Sequence, residues 1–333
     1  MRCDCGGVLD EKNDFASSFE ELLNRKEMDT ERYLEFMPVN RKYIPDLTPP
    51  VTPNIKKKID DIDVIFKPEY LMPSGSFKDR GTYVTIAKLK EDGIKEVSLD
   101  SSGNAAISLS LYGRSEGIDV HVFVSESISR NKMKMLNMLD PIIHKVSGSR
   151  MEVHEKAEGF DKGTYVSHWY NPFFLEGTKI TAYEVGEKME IDKVIVPTGS
   201  GTMFLGLYKG FKDLMEFGVV DKIPKMIAVE AEGFESLKNK SEKKSKLTRG
   251  IEIIDPPRKE QMRSVLKETN GLSISVDDEV IKKARKDLVD MGFLVENTSA
   301  AAYAAFKELK KKDEFIEGEK VLIPLTGSGL KSF

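Results

Sequence analysis

The chain has little of what marks metal-binding or disulfide-rich proteins. Its 333 residues include two cysteines, four histidines and one tryptophan. Cys3 and Cys5 form a single Cys-x-Cys pair, whereas a structural zinc site needs four ligands. No second cysteine pair exists and the histidines show no ligand spacing, so we interpret the pair as a vestige or a surface turn. We expect no metal site.

Long apolar runs and a strong charge of one sign are also lacking. No run approaches the roughly 20 apolar residues that span a bilayer, and the N-terminus lacks a signal-peptide core. The net charge of −4 gives no reason to expect nucleic acid or an anionic membrane as the main partner. The chain is 40% hydrophobic and 32% charged, which is typical of globular proteins, and we expect it in the cytoplasm.

Strand-like runs alternate with helix-like stretches over most of the chain, after a polar arm at residues 1–45. Apolar runs at 120–124, 193–197 and 320–324 are typical of buried strands. This order predicts an α/β fold with mostly parallel sheets flanked by helices. We expect two domains, a large one formed by residues 46–83 plus 175–333 and a small one at residues 84–174.

A lysine-containing loop at residues 72–81 is the first candidate for chemistry. It reads Met-Pro-Ser-Gly-Ser-Phe-Lys-Asp-Arg-Gly and precedes a helix-like run, which Ser76 is placed to cap. A lysine beside the positive end of a helix has a reason to lose its proton, and neutral lysine amines form Schiff bases with carbonyls. Lys78 is therefore a candidate nucleophile, although a solvated lysine is the commoner case for a lone residue of this kind.

Three further loops follow strand-like runs, at residues 101–105, 198–202 and 326–329. Ligands of open parallel sheets bind at the carboxyl ends of strands, so these loops and Lys78 are predicted to line one crevice. The glycines and the helix start at 198–202 suit a small phosphate group. A dinucleotide fits less well, because Phe204 stands where the dinucleotide-binding fingerprint has its third glycine. Taken alone, the 198–202 loop is equally well explained as a tight turn, and the other two are better explained as a cap or turn.

Together these segments resemble pyridoxal-phosphate enzymes of the tryptophan-synthase-β fold type (fold type II), and most closely threonine synthases. The resemblance also includes the opening Cys-Asp-Cys-Gly-Gly-Val-Leu, the segment at 171–179 and the segment at 325–331. The motifs extend over nearly the whole chain. The resemblance implies a pyridoxal 5'-phosphate cofactor, a lyase acting on a small amino-acid substrate, and a homodimer.

The resemblance also implies roles for individual residues. Lys78 would hold the cofactor as a Schiff base and later move protons. Asn104 would bond the 3′-oxygen of the pyridine ring, and Thr326 would face the ring nitrogen, where a hydroxyl favours elimination and replacement over transamination. The cofactor phosphate would be bound by Gly199, Ser200, Gly201 and Thr202. The substrate carboxylate would be held by Ser101, Ser102 and Ala105.

The segment at 171–179 departs from the pattern of relatives that use O-phosphohomoserine. Those relatives resemble Asn-Pro-x-Arg-x-Glu-Gly-Gln-Lys, whereas Phe174 stands at the arginine position and Thr178 at the glutamine position. A phenylalanine cannot hold a substrate phosphate. We expect Phe174 and His168 to form a substrate-binding wall that suits a smaller or less charged substrate.

The leading hypothesis is therefore a threonine synthase-like lyase. A threonine or serine dehydratase and a cysteine-synthase-type β-replacement enzyme remain open because of Phe174. A non-catalytic pyridoxal-phosphate- or nucleotide-binding α/β protein is the alternative outside enzymes.

Overall fold

The computed structural model describes residues 7–128, 130–238 and 241–331. Cys3 and Cys5 lie outside these residues, so the interpretation of that pair stays a prediction. The helices are α1 Phe19–Leu22, α2 Lys78–Glu91, α3 Asn104–Ser115, α4 Arg130–Leu139, α5 Arg150–Glu158, α6 Pro172–Gly186, α7 Thr202–Glu216, α8 Lys259–Glu268, α9 Asp278–Asp290 and α10 Asn297–Lys310. The strands are β1 Ile55–Ile59, β2 Ile62–Lys67, β3 Glu96–Leu99, β4 Asp119–Ser125, β5 Ile142–Val146, β6 Thr164–Tyr165, β7 Lys193–Pro197, β8 Lys225–Ala231, β9 Leu272–Val276 and β10 Lys320–Pro324.

The chain divides into two compact units. The first unit contains the described residues up to Ser17, Glu21–Pro50 and Lys78–Gly177. The second unit contains Ser18–Glu20, Val51–Phe77 and the residues from Thr178 onward. The domain limits expected from the sequence, 46–83 plus 175–333 and 84–174, stay a prediction.

The second unit is built on a six-stranded sheet in the order β1-β2-β10-β7-β8-β9. Only the β1–β2 pair is antiparallel, and the remaining pairs of this sheet are parallel. Every residue of β7 is buried, as expected for a central parallel strand covered on both faces. The edge strand β1 carries three lysines in its five residues, which discourages pairing with another chain.

Helix α10 packs against the second-unit sheet with small side chains. Its alanines at 300–302, 304 and 305 are fully buried and lie in one apolar cluster with the side chains of β2, β8 and β10. Small side chains let the helix approach the strands closely. The loops at the carboxyl ends of β7 and β10 therefore follow strands that are tightly packed against α10.

The first unit is built on a four-stranded parallel sheet in the order β5-β4-β3-β6. Helices α2 and α3 pack together beside it, and Ser108 Oγ donates a hydrogen bond of 2.7 Å to Thr82 Oγ1 between them. The carboxyl end of β3 leads directly into the loop at 100–103, which begins α3.

The predicted α/β fold with mostly parallel sheets is confirmed. Strands β7 and β10 have the bounds expected from their apolar runs, and β4 extends the expected run by one residue at each end. The sequence patterns predicted no element between residues 250 and 276, where the structure has α8 and β9. Within the described ranges, no helix combines the length and apolar character that crossing a bilayer requires.

Candidate active site

The lysine loop is held in the second unit by the segment that follows β10. Gly75 has φ +75°, a left-handed conformation that glycine adopts without strain. Ser76 forms an isolated antiparallel bridge with Gly327, and the Phe77 backbone N–H donates to Thr326 O at 3.0 Å. Main-chain hydrogen bonds therefore fix the loop up to the residue before Lys78.

Lys78 is the first residue of α2, so Phe77 rather than Ser76 precedes the helix. In the first unit its Nζ lies 5.5 Å from the centre of the Phe174 ring. That ring is only 4% exposed and covers Gly81, where an added Cβ would come within 2.5 Å of it. The glycine one turn after Lys78 thus makes room for an apolar wall beside the lysine amine.

His168 lies against the same ring. Its imidazole centre lies 5.4 Å from the Phe174 ring centre and 6.3 Å from the Trp169 ring centre. Lys78, His168 and Phe174 are thus brought together within the first unit, and the arginine position contributes no charge there.

The loop after β3 presents an open helix start. Asn104 is the first residue of α3, and its N-cap, Gly103, offers no side-chain acceptor to the first-turn N–H groups. A Cβ at Gly103 would meet nothing within 4 Å, so the backbone there is accessible to a ligand. Ser101 Oγ accepts a hydrogen bond of 3.3 Å from the Gly103 N–H, while Ala105 is buried. Uncapped N–H groups at a helix start suit a carboxylate.

A hydrogen-bonded cluster that sequence reasoning missed lies directly before this loop. Tyr165 donates its hydroxyl to Asp100 Oδ1 at 2.7 Å, and His154 Nδ1 lies 3.2 Å from Asp100 Oδ2. Burial, and then the Asp100 charge, raise the pKa of Tyr165, which keeps the hydroxyl proton available for donation. The cluster joins the end of β3 to α5 and β6. His154 and Tyr165 are separated from Asp100 by 54 and 65 positions in the sequence, so no local pattern indicates the cluster.

The 198–202 loop connects β7 to α7 in the second unit. Gly201 is the N-cap of this 15-residue helix, has φ +85° and provides no side-chain acceptor. Ser200 and Thr202 are buried, and their hydroxyl oxygens lie 3.4 Å apart. An added Cβ at Gly199 would come within 2.8 Å of the Ile251 Cα, so only glycine fits. Free helix-start N–H groups with two hydroxyls fit the phosphate of pyridoxal phosphate.

Thr326 follows β10, which neighbours β7 in the sheet. It is 3% exposed, and its Oγ1 lies 3.0 Å from Ser299 Oγ at the start of α10. Ser299 Oγ in turn accepts from the Gly327 N–H at 2.8 Å. The position therefore carries a pair of buried hydroxyls rather than a carboxylate.

Metal ligands are not assembled in the described part of the chain. No group of three or more histidine, cysteine, aspartate and glutamate side chains at residues 7–128, 130–238 and 241–331 is arranged to hold a metal ion.

Comparison with known proteins matches the pyridoxal-phosphate dependent enzyme family over residues 47–327. Threonine synthase of Methanocaldococcus jannaschii is 29% identical, over 99% of this chain and 88% of its own. Threonine synthase of Synechocystis sp. is 30% identical, over 90% and 82%.

Solved structures share the fold. The processed form of threonine deaminase isoform 2 from Solanum lycopersicum has a TM-score of 0.72 at 18% identity, over 96% of this chain and 94% of its own. Maize serine racemase has a TM-score of 0.72 at 22% identity, over 84% and 88%. With the family match spanning most of the sequence, the chain belongs to the pyridoxal-phosphate dependent enzymes, and the cofactor expected from its motifs is confirmed.

Proposed function

We propose that the chain is a threonine synthase-like lyase that acts on a small amino acid by elimination and replacement. The reaction converts O-phosphohomoserine and water to threonine and phosphate: the Cγ–O bond to phosphate breaks, and the hydroxyl of water is added at Cβ. The similarity to threonine synthases along most of both chains supports this substrate. We also propose that the protein is cytoplasmic, on the basis of its composition, and that it is a homodimer, as the resemblance implies.

The observation that carries the proposal is the connection between the lysine loop and the segment after β10. Phe77, the neighbour of Lys78, is bonded through its N–H to Thr326 O, and Thr326 offers a hydroxyl. A hydroxyl beside the ring nitrogen leaves that nitrogen largely unprotonated. The bound cofactor supplies an electron sink for negative charge at the substrate Cα, and a weaker sink favours elimination and replacement over transamination.

We assign the following roles to the residues of the chain. Lys78 Nζ carries the cofactor covalently and afterwards accepts the proton from the substrate Cα. Asn104 donates to the ring 3′-oxygen, and Thr326 faces the ring nitrogen. The phosphate is held by Gly199, Ser200, Gly201 and Thr202. The substrate carboxylate is held by Ser101, Ser102 and Ala105.

A dehydratase acting on threonine or serine is the second candidate, and Phe174 favours it. The ring beside Lys78 gives a substrate phosphate neither charge nor hydrogen-bond donors. A substrate with a hydroxyl leaving group is small enough for the wall of Phe174 and His168 and needs no such partner. The same feature admits a β-replacement enzyme of the cysteine-synthase type.

Product analysis ranks these activities. The enzyme loaded with pyridoxal phosphate is incubated separately with O-phosphohomoserine, threonine, serine and O-phosphoserine, the last two also with sulfide. We expect threonine and phosphate from O-phosphohomoserine. The enzyme would instead be a dehydratase if threonine or serine released a 2-oxo acid and ammonia while O-phosphohomoserine gave no threonine. Turnover of none of them would favour a binding protein.

The role of Lys78 is tested by reduction of the loaded enzyme with borohydride, followed by peptide mass analysis. We expect the cofactor on the peptide that contains Lys78, and its loss together with activity in Lys78→Ala. Lys88→Ala, on the same helix, is the matched control and should keep both. Attachment at another lysine would contradict the assignment.

A further inference from the structure

Lys132 on α4 approaches the loop that is proposed to hold the substrate carboxylate. Its Nζ donates a hydrogen bond of 3.3 Å to Ser102 Oγ, and both residues are partly buried. Helix α4 packs against α3, the helix that this loop begins. The lysine lies outside every motif on which the family resemblance rests, and no sequence pattern singles it out.

The charges around the loop explain why a cation is needed there. Asp100 immediately precedes Ser101, and its carboxylate is held in place by the Tyr165 hydroxyl and His154. A substrate carboxylate bound at the 101–105 loop would be repelled by the negative charge of Asp100. Uncapped N–H groups of α3 supply hydrogen bonds and only a fraction of a charge. The Lys132 ammonium supplies a full positive charge on the same loop.

We propose that Lys132 is a specificity-determining residue that binds the α-carboxylate of the amino-acid substrate together with Ser102. This inference rests on the proposed function, since it places the substrate at the same loop. Ser102 Oγ, 3.3 Å from the ammonium, marks the point at which the carboxylate bridges the loop and the lysine. The enzyme accordingly selects ligands with a free carboxylate over their uncharged amides.

The test compares an amino acid with its amide on the enzyme loaded with pyridoxal phosphate. L-Threonine and L-threoninamide are titrated while the cofactor absorbance is followed, which measures binding separately from turnover. Lys132→Gln should weaken L-threonine binding by about 10- to 100-fold, the range for a lost hydrogen bond to a charged group. It should leave L-threoninamide binding as it is in the wild type. Lys132→Arg, which keeps the charge, should restore most of the L-threonine affinity.

Lys134→Gln is the matched control, because it removes the same charge from an exposed position of α4 that faces another side of the helix. It should bind both ligands as the wild type does. If Lys132→Gln binds L-threonine normally, or loses both ligands equally, the inference is overturned while the proposed function stands. A wild-type enzyme whose absorbance responds to neither ligand nor to O-phosphohomoserine would overturn the inference and the proposed function together.

Discussion

At the scale of single residues, the contact between Gly81 and Phe174 decides what lies beside Lys78. The ring occupies the space where a side chain at position 81 would be, with the nearest ring atoms 2.5 Å from an added Cβ. The pattern expected of relatives that use O-phosphohomoserine has an arginine at position 174, and a phenylalanine ring packs here instead. The packing of this pair therefore determines which side chain lies beside the Lys78 amine.

Gly81→Ala should destabilise the protein, although glycine in a helix interior usually costs stability relative to alanine. The new methyl group must displace the buried Phe174 ring, and overpacking of this kind typically costs about 1–3 kcal/mol. Urea unfolding measures the loss. In the background of Phe174→Ala the same substitution should be neutral or stabilising, because the ring is gone. An equal loss in both backgrounds would contradict the packing explanation.

His144 gives a prediction about pH at the same scale. Its ring stacks on Phe123 with centres 4.4 Å apart, and its Nε2 lies 2.9 Å from His121 Nδ1. Burial, and then the charge of His121, lower the pKa of His144. The pKa of a histidine in an unfolded chain is about 6.5. Around and below that pH the unfolded chain therefore binds more protons than the folded one. The stability contributed by neutral His144 is thus present above pH 6.5 or so and is lost as the pH falls toward the lower folded pKa.

Urea unfolding between pH 5 and pH 8 measures this effect. The free energy of unfolding should decrease toward the acid side, and His144→Phe should show a shallower decrease. An unchanged slope in that variant would assign the pH dependence to other groups.

At the scale of elements, the Asp100–His154–Tyr165 cluster holds the end of β3 against α5 and β6. Tyr165→Phe removes the donor to Asp100 Oδ1 and should destabilise the protein by about 1.5–3 kcal/mol, the usual contribution of a hydrogen bond to a charged group. The loop begins at the next residue, so the KM for the amino acid should rise more than kcat falls. Tyr303→Phe, which removes a hydroxyl from α10, serves as the control. Lost stability with unchanged KM would limit the cluster to a structural role.

Elements with a strong local pattern were predictable, whereas those defined by tertiary contacts were not. Strands β7 and β10 are apolar runs between turn residues, and their bounds agree with the structure. Strand β9 reads Leu-Ser-Ile-Ser-Val, an apolar–polar alternation that is typical of a strand but only five residues long, and it pairs with β8 along its whole length. Edge strand β1 is Ile-Lys-Lys-Lys-Ile, in which the lysines mask the strand pattern. For β1, pairing with β2, which is invisible locally, decides the conformation.

For the candidate site, the positions of the loops were predictable from the sequence, whereas the long-range contacts of the side chains were not. Loops with glycine and hydroxyl residues after strands indicated where Gly199–Thr202 and Thr326 would lie, and the family resemblance assigned their roles. The contact of Lys78 with Phe174 joins residues 96 positions apart in the sequence, and Lys132 reaches Ser102 from a different helix. Such contacts depend on how α4 and α6 pack, which no local pattern specifies.

At the scale of the whole molecule, cofactor binding should be the largest adjustable contribution to stability. A ligand that binds only the folded chain stabilises it by about 2.7 kcal/mol at one hundred times its Kd. Removal of pyridoxal phosphate should therefore lower the melting temperature, and titration with the cofactor should raise it again.

If the 198–202 loop binds the cofactor phosphate as proposed, the phosphate should account for part of this stabilisation. Pyridoxal has the same aldehyde for Lys78 but lacks the phosphate, so at equal concentration it should raise the melting temperature less than pyridoxal phosphate does. In the double variant Ser200→Ala and Thr202→Val, the melting-temperature increases caused by the two compounds should be more similar. The reason is that two buried hydroxyls beside the start of α7 are removed. Ser264→Ala, at an exposed position of α8, should leave the difference unchanged. Equal stabilisation of the wild type by the two compounds would contradict the assignment of this loop to the phosphate, because Lys78 alone would then account for cofactor binding.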